Sequence, residues 1–298
     1  MQSVYADTLR WRHTVVRSDA ASDPSRHVHS SVPRRVATEP HLSLSEMAST
    51  VARAAVQRSP CPDRTLDQIV VCATSFEHDL ALSCAGRLHS ELRSANAPFA
   101  IGQLQGASFL LALQLACSMM SLDNRVHAVL IVGAERWLAP FPRVVGTLTA
   151  FGDGAAAALI EQRTGAGWYV RSVTVRTPAP AASITPDDEY VDEPALVQVI
   201  DETCARAGLQ PSAINWTVPA RISTSLARAI TTHAGLATDR IWYPDPDDTG
   251  YLCAADTPAQ LDTLLRSLEP RDGQHILLWS AGFQGQAACA ILEFRGSW

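Results

Sequence analysis

His127-Ala-Val-Leu-Ile-Val-Gly-Ala134 and His275-Ile-Leu-Leu-Trp-Ser-Ala-Gly282 are two apolar, strand-like runs of matching character, and their offset is 275 − 127 = 148. The same offset relates Ala54-Ala-Val-Gln-Arg-Ser59 to Glu202-Thr-Cys-Ala-Arg-Ala207, and Leu66-Asp-Gln-Ile-Val-Val71 to Ile214-Asn-Trp-Thr-Val-Pro219. Beyond each run a glycine-containing turn leads to a small-residue strand, Gly154-Ala-Ala-Ala-Ala-Leu-Ile-Glu161 and Gly285-Gln-Ala-Ala-Cys-Ala-Ile-Leu-Glu293. Two apolar strands often look alike by chance, but a constant offset over so long a span does not arise that way. One register through helix, strand and strand again predicts a duplicated α/β unit, with halves at 1–164 and 165–298.

Outward from these runs, short β-branched segments alternate with helical ones, the pattern of α/β layering. Strands are expected at 4–11, 68–74, 99–101, 127–133, 155–160, 169–175, 215–219, 241–243, 276–280 and 287–294. The first good helix is expected at 45–58. Residues 18–44 are rich in Ser, Pro, Arg and His without an apolar period, and read as a mobile loop or lid. The helix at 105–122 carries Phe109, Leu110, Leu111, Leu113, Leu115, Met119 and Met120 on every side. A helix apolar all round is expected to be buried. The N–H groups of its first turn then face a fixed interior spot, where they can lower a thiol's pKa or hold an oxyanion.

Composition narrows the function classes. The chain has 298 residues, 24 basic against 30 acidic, a formal charge of −6. All 24 basic residues are arginines, which removes Schiff-base lysine chemistry and the lysine of a P-loop. The acidic balance argues against a nucleic-acid partner, and no run reaches the length of a membrane span. The first residues lack a secretory pattern. The seven cysteines (61, 72, 84, 117, 204, 253 and 289) form no C-x-x-C pair. Reduced thiols in the cytoplasm and no metal site are therefore expected.

Several motifs in order resemble the ketoacyl-ACP synthase III family of the thiolase superfamily. They are Gly133-Ala-Glu135, Phe151-Gly-Asp-Gly-Ala155, Trp216-Thr-Val-Pro-Ala-Arg-Ile-Ser223 and the glycine turn Ala281-Gly-Phe-Gln-Gly-Gln286. The resemblance implies a thiolase fold, an internally duplicated five-layer α-β-α-β-α architecture. It implies acyl-thioester chemistry with acyl-CoA or acyl-phosphopantetheine as ligand and no separate cofactor, and a dimer joined through a central strand. In that family a Cys takes the acyl group, while His and Asn activate the malonyl unit and hold the thioester oxygen.

This sequence departs from the family at all three positions. Anchoring on Phe109-Leu-Leu-Ala-Leu113 puts Gly106 in the cysteine's place, and anchoring on Phe99 puts Gln105 there. Ser108 is the nearby hydroxyl. Ala220 falls at the histidine, with Arg221 beside it, and Tyr251 of Gly250-Tyr-Leu-Cys253 falls at the asparagine. Residues of one catalytic unit are non-additive, so loss of one frees the others to change. The expectation is a synthase III scaffold without its chemistry, pairing with an intact relative. The alternatives are an active acyltransferase using Ser108, Tyr251 or Cys84, and a binding module for acyl-CoA or acyl carrier protein. Backbone donors for an oxyanion are expected at Gly106, Gly282 and Gly285, and phosphate or carrier contacts at Arg143 and Arg221, with Arg136 a further candidate.

Other signals carry plainer readings. Cys84-Ala-Gly86 mimics the active-site tripeptide but stands before an expected helix at 87–93, in the wrong place in the order. Glu77-His-Asp79 reads as a loop with Asp79 capping that helix. His27-Val-His29 and Asp245-Pro-Asp-Asp248 lack the partners or spacing of metal sites. His233 reads as a surface or packing residue, and Cys72, Cys117 and Cys289 as core.

Overall fold

The duplication is visible in the order of the strands. The computed structural model describes residues 2–8, 13–15, 35–59, 63, 65–77, 81–162, 165–179, 189–243 and 249–296. The first half contributes β1 (Gln2–Thr8), β4 (Gln68–Ala73), β5 (Phe99–Gly102), β6 (Ala128–Glu135) and β9 (Gly154–Gln162). The second contributes β10 (Gly167–Arg176), β11 (Trp216–Val218), β12 (His275–Ala281) and β13 (Ala287–Arg295). Outward from the β1–β10 seam the sheet runs β1-β9-β6-β4-β5 on one side and β10-β13-β12-β11 on the other. Corresponding strands thus take corresponding places. At the far end Ile241 makes a single bridge to Thr217, so the strand expected at 241–243 is reduced to one contact.

The helices make five layers. On the outer face of the first half lie α1 (Leu44–Gln57), opened by a capping box of Ser43 and Glu46, and α2 (Cys84–Leu92), capped by Ser83. Between the half-sheets lie α3 (Ala107–Leu122) and α6 (Asp256–Ser267). On the far face of the second half lie α4 (Glu193–Ala207) and α5 (Thr224–His233). Strand periodicity explains why the runs are apolar throughout: successive side chains point to opposite faces. In β6, Val129 and Ile131 join the central core, while Leu130 and Val132 pack under α1. In β12, Ile276 and Leu278 face the centre, while Leu277 and Trp279 pack under α4. A strand covered on both faces reads as a near-continuous apolar run.

Several expectations need correction. The 148 offset holds from β4 to β11 and from β6 to β12, but the last pair is offset by 287 − 154 = 133. The first half inserts a hairpin, β7 (Val144–Val145) with β8 (Thr149–Ala150), where the second has only the turn 282–286. The loop expected through residue 44 is anchored at its end: β3 (Arg35–Ala37) pairs with β2 (His13–Val15), Val36 and Ala37 are buried, and Ala37 N–H donates to Thr249 O at 2.9 Å. Residues 16–34 lie outside the described residues, as do 9–12 of the first expected strand. The central helix is not buried all round. Leu122 is 89% exposed, Leu115 is exposed, and Cys117 and Leu122 flank an open groove against β10, because the last turns of α3 run out from between the sheets. Helix α2 begins at Cys84 rather than Arg87, since Ser83 caps it.

Candidate active site

The first turn of α3 sits at the centre of the molecule, and its geometry is set by the loop Gln103-Leu-Gln105 that enters it. Gln103 and Gln105 both have positive φ, +60° and +45°, a conformation costing a non-glycine residue about 1–2 kcal/mol. The first N–H groups of a helix have no partner inside it, yet here they are occupied. Gly106 N–H donates to Tyr251 Oη at 3.0 Å, Ala107 N–H to Leu104 O at 3.1 Å and Ser108 N–H to Gln105 O at 3.2 Å.

Tyr251 is fully buried, packed against Phe151 and Phe283, and Phe151 stacks on Trp137 at 4.1 Å. Its hydroxyl accepts from Gly106 and donates to Ala281 O at 3.2 Å. Burial, with Cys253 and Asp256 nearby, pushes its pKa far above the ordinary phenol value, so it stays neutral. A Cβ on Gly106 would lie 2.1 Å from Ser280 Oγ and 2.5 Å from Tyr251 Oη. The space a side chain at 106 would enter is filled.

The glycine turn after β12 packs against the same tyrosine through Phe283. Phe283 N–H donates to Gln105 Oε1 and Gln284 N–H to Gln286 Oε1, each at 3.1 Å. Gly282 N–H donates to Gln286 O at 2.9 Å. Tyr190 lies over the turn, its hydroxyl 2.6 Å from where a Cβ on Gly285 would stand, and φ at Gly285 is +81°. Ala220 is fully buried in the same apolar cluster as Tyr251 and Phe283. Beside it, Arg221 is buried against Asp256, with Nε to Oδ1 at 2.8 Å and the backbone N–H to Oδ2 at 2.9 Å. Gln260 Nε2 donates to the same carboxylate at 2.8 Å.

Gly106, Gln105, Tyr251 and the 282–286 turn thus converge, with Ala220 in the adjoining cluster. The other candidates do not join them as reactive groups. Ser108 is fully buried and its hydroxyl donates to Gln105 O at 2.6 Å. Cys84 stands at the first turn of α2 beside the groove along β5, and burial, with Glu77 adding, pushes its thiol up to about 12. Arg221 and Arg143 are corrected as phosphate contacts: both guanidinium groups are committed inside the protein. Arg143 grips the buried carboxylate of Asp153 with both terminal nitrogens at 2.8 Å. Arg136 Nε donates to Glu39 O at 3.4 Å. His233 ends α5 on the surface. His78, Asp79, His27, His29, Cys61 and 245–248 lie outside the described residues.

Two cysteines lie near the helix start, one through its thiol and one through its backbone carbonyl. Cys72 Sγ lies 3.4 Å from Ser108 O, and the carbonyl of Cys253 lies 3.3 Å from a Cβ on Gly106. Both thiols are fully buried and pushed up by burial and then by the Glu135 carboxylate, and the neighbouring position 220 holds alanine. Glu135 was legible only as part of a motif. It is fully buried and accepts from the backbone N–H groups of Thr74, Ser75 and Ala254 at 2.9, 2.8 and 3.2 Å. It ties the ends of β4 and β6 to the turn that follows Tyr251. Ser280, Gln286, Tyr190 and Asp256 also escaped the sequence reading, because their roles depend on contacts across the two halves. Among the described residues no group of three or more His, Cys, Asp or Glu is placed to hold a metal ion, and no helix is long and apolar enough to cross a membrane.

Comparison with known proteins agrees with this architecture. Residues 103–178 match the family model for 3-oxoacyl-[acyl-carrier-protein] synthase III, and residues 204–294 match that for its C-terminal part. The chain is 26% identical over 282 residues to beta-ketoacyl-[acyl-carrier-protein] synthase III of Salmonella typhimurium, covering 88% of this chain and 87% of that one. The solved structure of ChlB3, titled an acyltransferase, superposes with a TM-score of 0.79 at 17% identity over 99% of this chain and 98% of that chain. The 3-oxoacyl synthase III of Aquifex aeolicus gives 0.75 at 16%, covering 98% of each. The chain is a ketoacyl synthase III-like member of the thiolase superfamily, from the condensing-enzyme family of fatty-acid and polyketide metabolism.

Proposed function

We propose that this chain is a catalytically degenerate subunit of specialised acyl-thioester metabolism that pairs with an intact ketoacyl synthase III-like chain. What carries the reading is the Tyr251 hydroxyl on Gly106 N–H, with Ser280 beside it. The place where a relative's nucleophile would project is taken up by this chain's own side chains. Loss of a single reactive atom would leave a vacancy; here the volume has been refilled and the Gly106 N–H has a partner in Tyr251 Oη. That weighs against an enzyme using Ser108, Tyr251 or Cys84, since their hydroxyls and thiol are bonded inward or held protonated by burial. It also weighs against a binding module, because acyl-CoA would have to displace Tyr251.

The pairing surface follows from the sheet. Among the described residues β5 is the outermost strand of the first half, with Ala100 and Gly102 exposed. The apolar side chains of Phe76, Leu82 and Phe141, each about half exposed, lie near it around a groove of about 480 Å³. A bare strand edge with apolar flanks is a site for strand addition and is normally covered. The partner strand is assigned to an intact relative in the cytoplasm, where thiols stay reduced, and acyl carrier protein or CoA thioesters are served by that relative. Co-expression with a synthase III-like chain carrying Cys, His and Asn tests this. Co-purification as a one-to-one complex, lost on Ile101→Pro in β5, is expected. Separate elution of the two chains, with turnover by this chain alone, would overturn it.

A further inference from the structure

The glycine turn holds two glutamine carboxamides that arrive from different elements. Gln105 comes from the loop before α3 and Gln286 from the foot of β13, and their oxygens accept from the adjacent Phe283 and Gln284 N–H groups. Both oxygens crowd Gly282: a Cβ there would stand 2.2 Å from Gln286 Oε1 and 3.0 Å from Gln105 Oε1. Glycine at 282 is what admits the pair. The arrangement is also held against a local penalty, since Gln105 must adopt φ +45° to reach the turn. A carboxamide oxygen is a planar carbonyl acceptor, the same acceptor type that a thioester presents. The two adjacent N–H groups each meet a different one of these oxygens, and preorganised backbone N–H donors are what holds a developing oxyanion.

We infer that Gln105 and Gln286 form a built-in blockade of a carbonyl-binding turn, two side-chain carbonyls standing where an acyl-thioester oxygen would bind. This closure uses side chains other than Tyr251, on a turn that Tyr251 touches through Ala281 O and Phe283, and rests on the degenerate-subunit reading. The blockade makes the exclusion reversible by side-chain truncation.

The probe is S-acetyl-N-acetylcysteamine, a thioester small enough to need no tunnel, with N-acetylcysteamine as the control thiol. Wild type is expected to show the same thermal midpoint with either. In Gln105→Ala/Gln286→Ala, saturating thioester is expected to raise the midpoint by about 3 °C over the thiol. Gln105→Glu, which keeps an oxygen on Phe283 N–H, is expected to behave as wild type. Hydrogen exchange of the peptide spanning 281–286 gives a second readout, with at least about tenfold faster exchange in Gln105→Ala, since a freed amide loses its protection. Should the double variant not fold, Gln105→Ala alone is measured in the same way. A folded variant whose turn amides are freed but which treats thioester and thiol alike would overturn the inference, as would a wild type that already discriminates them. Acylation of the wild-type chain, or its failure to pair, would instead sink the subunit reading and leave these amide measurements standing.

Discussion

Restoring a side chain at position 106 is the perturbation that probes the plugged site most sharply. In Gly106→Ala the new Cβ would stand 2.1 Å from Ser280 Oγ and 2.5 Å from Tyr251 Oη, both fully buried. Ordinary contact needs more than 3 Å, so both groups must retreat by about an ångström into packed surroundings. Overpacking of this kind costs about 1–3 kcal/mol. Moving the phenol also breaks its bond to Gly106 N–H and strands a buried donor, about 1–3 kcal/mol more. The sum is a loss of about 2–6 kcal/mol, read by urea unfolding at constant m-value. Gly106→Cys is expected to lose at least as much and to gain no acyl group. In a Tyr251→Phe/Ser280→Ala background, which removes both oxygens, Gly106→Ala should cost under about 1 kcal/mol, the coupling expected of residues in contact. A wild-type background that accepts Gly106→Ala within about 0.5 kcal/mol would refute the steric reasoning.

Three further outcomes follow from the same geometry. Asp256→Ala leaves Arg221 buried without its carboxylate and should cost about 3–5 kcal/mol in chemical unfolding, whereas Arg125→Ala on the exposed Asp123 pair should change little. Glu135 has its pKa raised in the folded state, chiefly by burial. Its contribution is therefore fully present below the unfolded carboxyl value and is lost as pH rises through the folded one. The stability of wild type relative to Glu135→Gln should thus fall as pH increases from about 4.5, and a flat difference between pH 4 and 8 would contradict the assignment. Native Cys84, with its thiol pushed up to about 12, should resist a disulfide reagent at pH 8 until the protein unfolds, as should buried Cys72 and Cys253.

The architecture was largely legible because apolar periodicity and duplication are local signals. The strands at 68–73, 128–135 and 287–295 are buried on both faces over most of their length, so their runs are mostly apolar and stand out in the sequence. The hairpin β7–β8 and the pairing of β2 with β3 left no such trace, since each is only two or three residues long per strand. The places of Gly106, Ala220 and Tyr251 came from motif order, but what those residues do there did not. The Tyr251–Gly106 bond joins positions 145 apart and the Gln105–Phe283 bond positions 178 apart, and no periodicity predicts which distant groups meet. Arg143 and Arg221 illustrate the same gap. An arginine in sequence is equally a phosphate contact or half of a buried pair, and only the carboxylates of Asp153 and Asp256 decide it.

Intact-mass spectrometry on an equimolar mixture of this chain, an intact synthase III-like relative and acetyl-CoA tests the central claim most directly. The account predicts one acyl group on the relative and an unchanged mass for this chain. A stoichiometric acyl adduct on this chain, retained after the relative is removed, would contradict it.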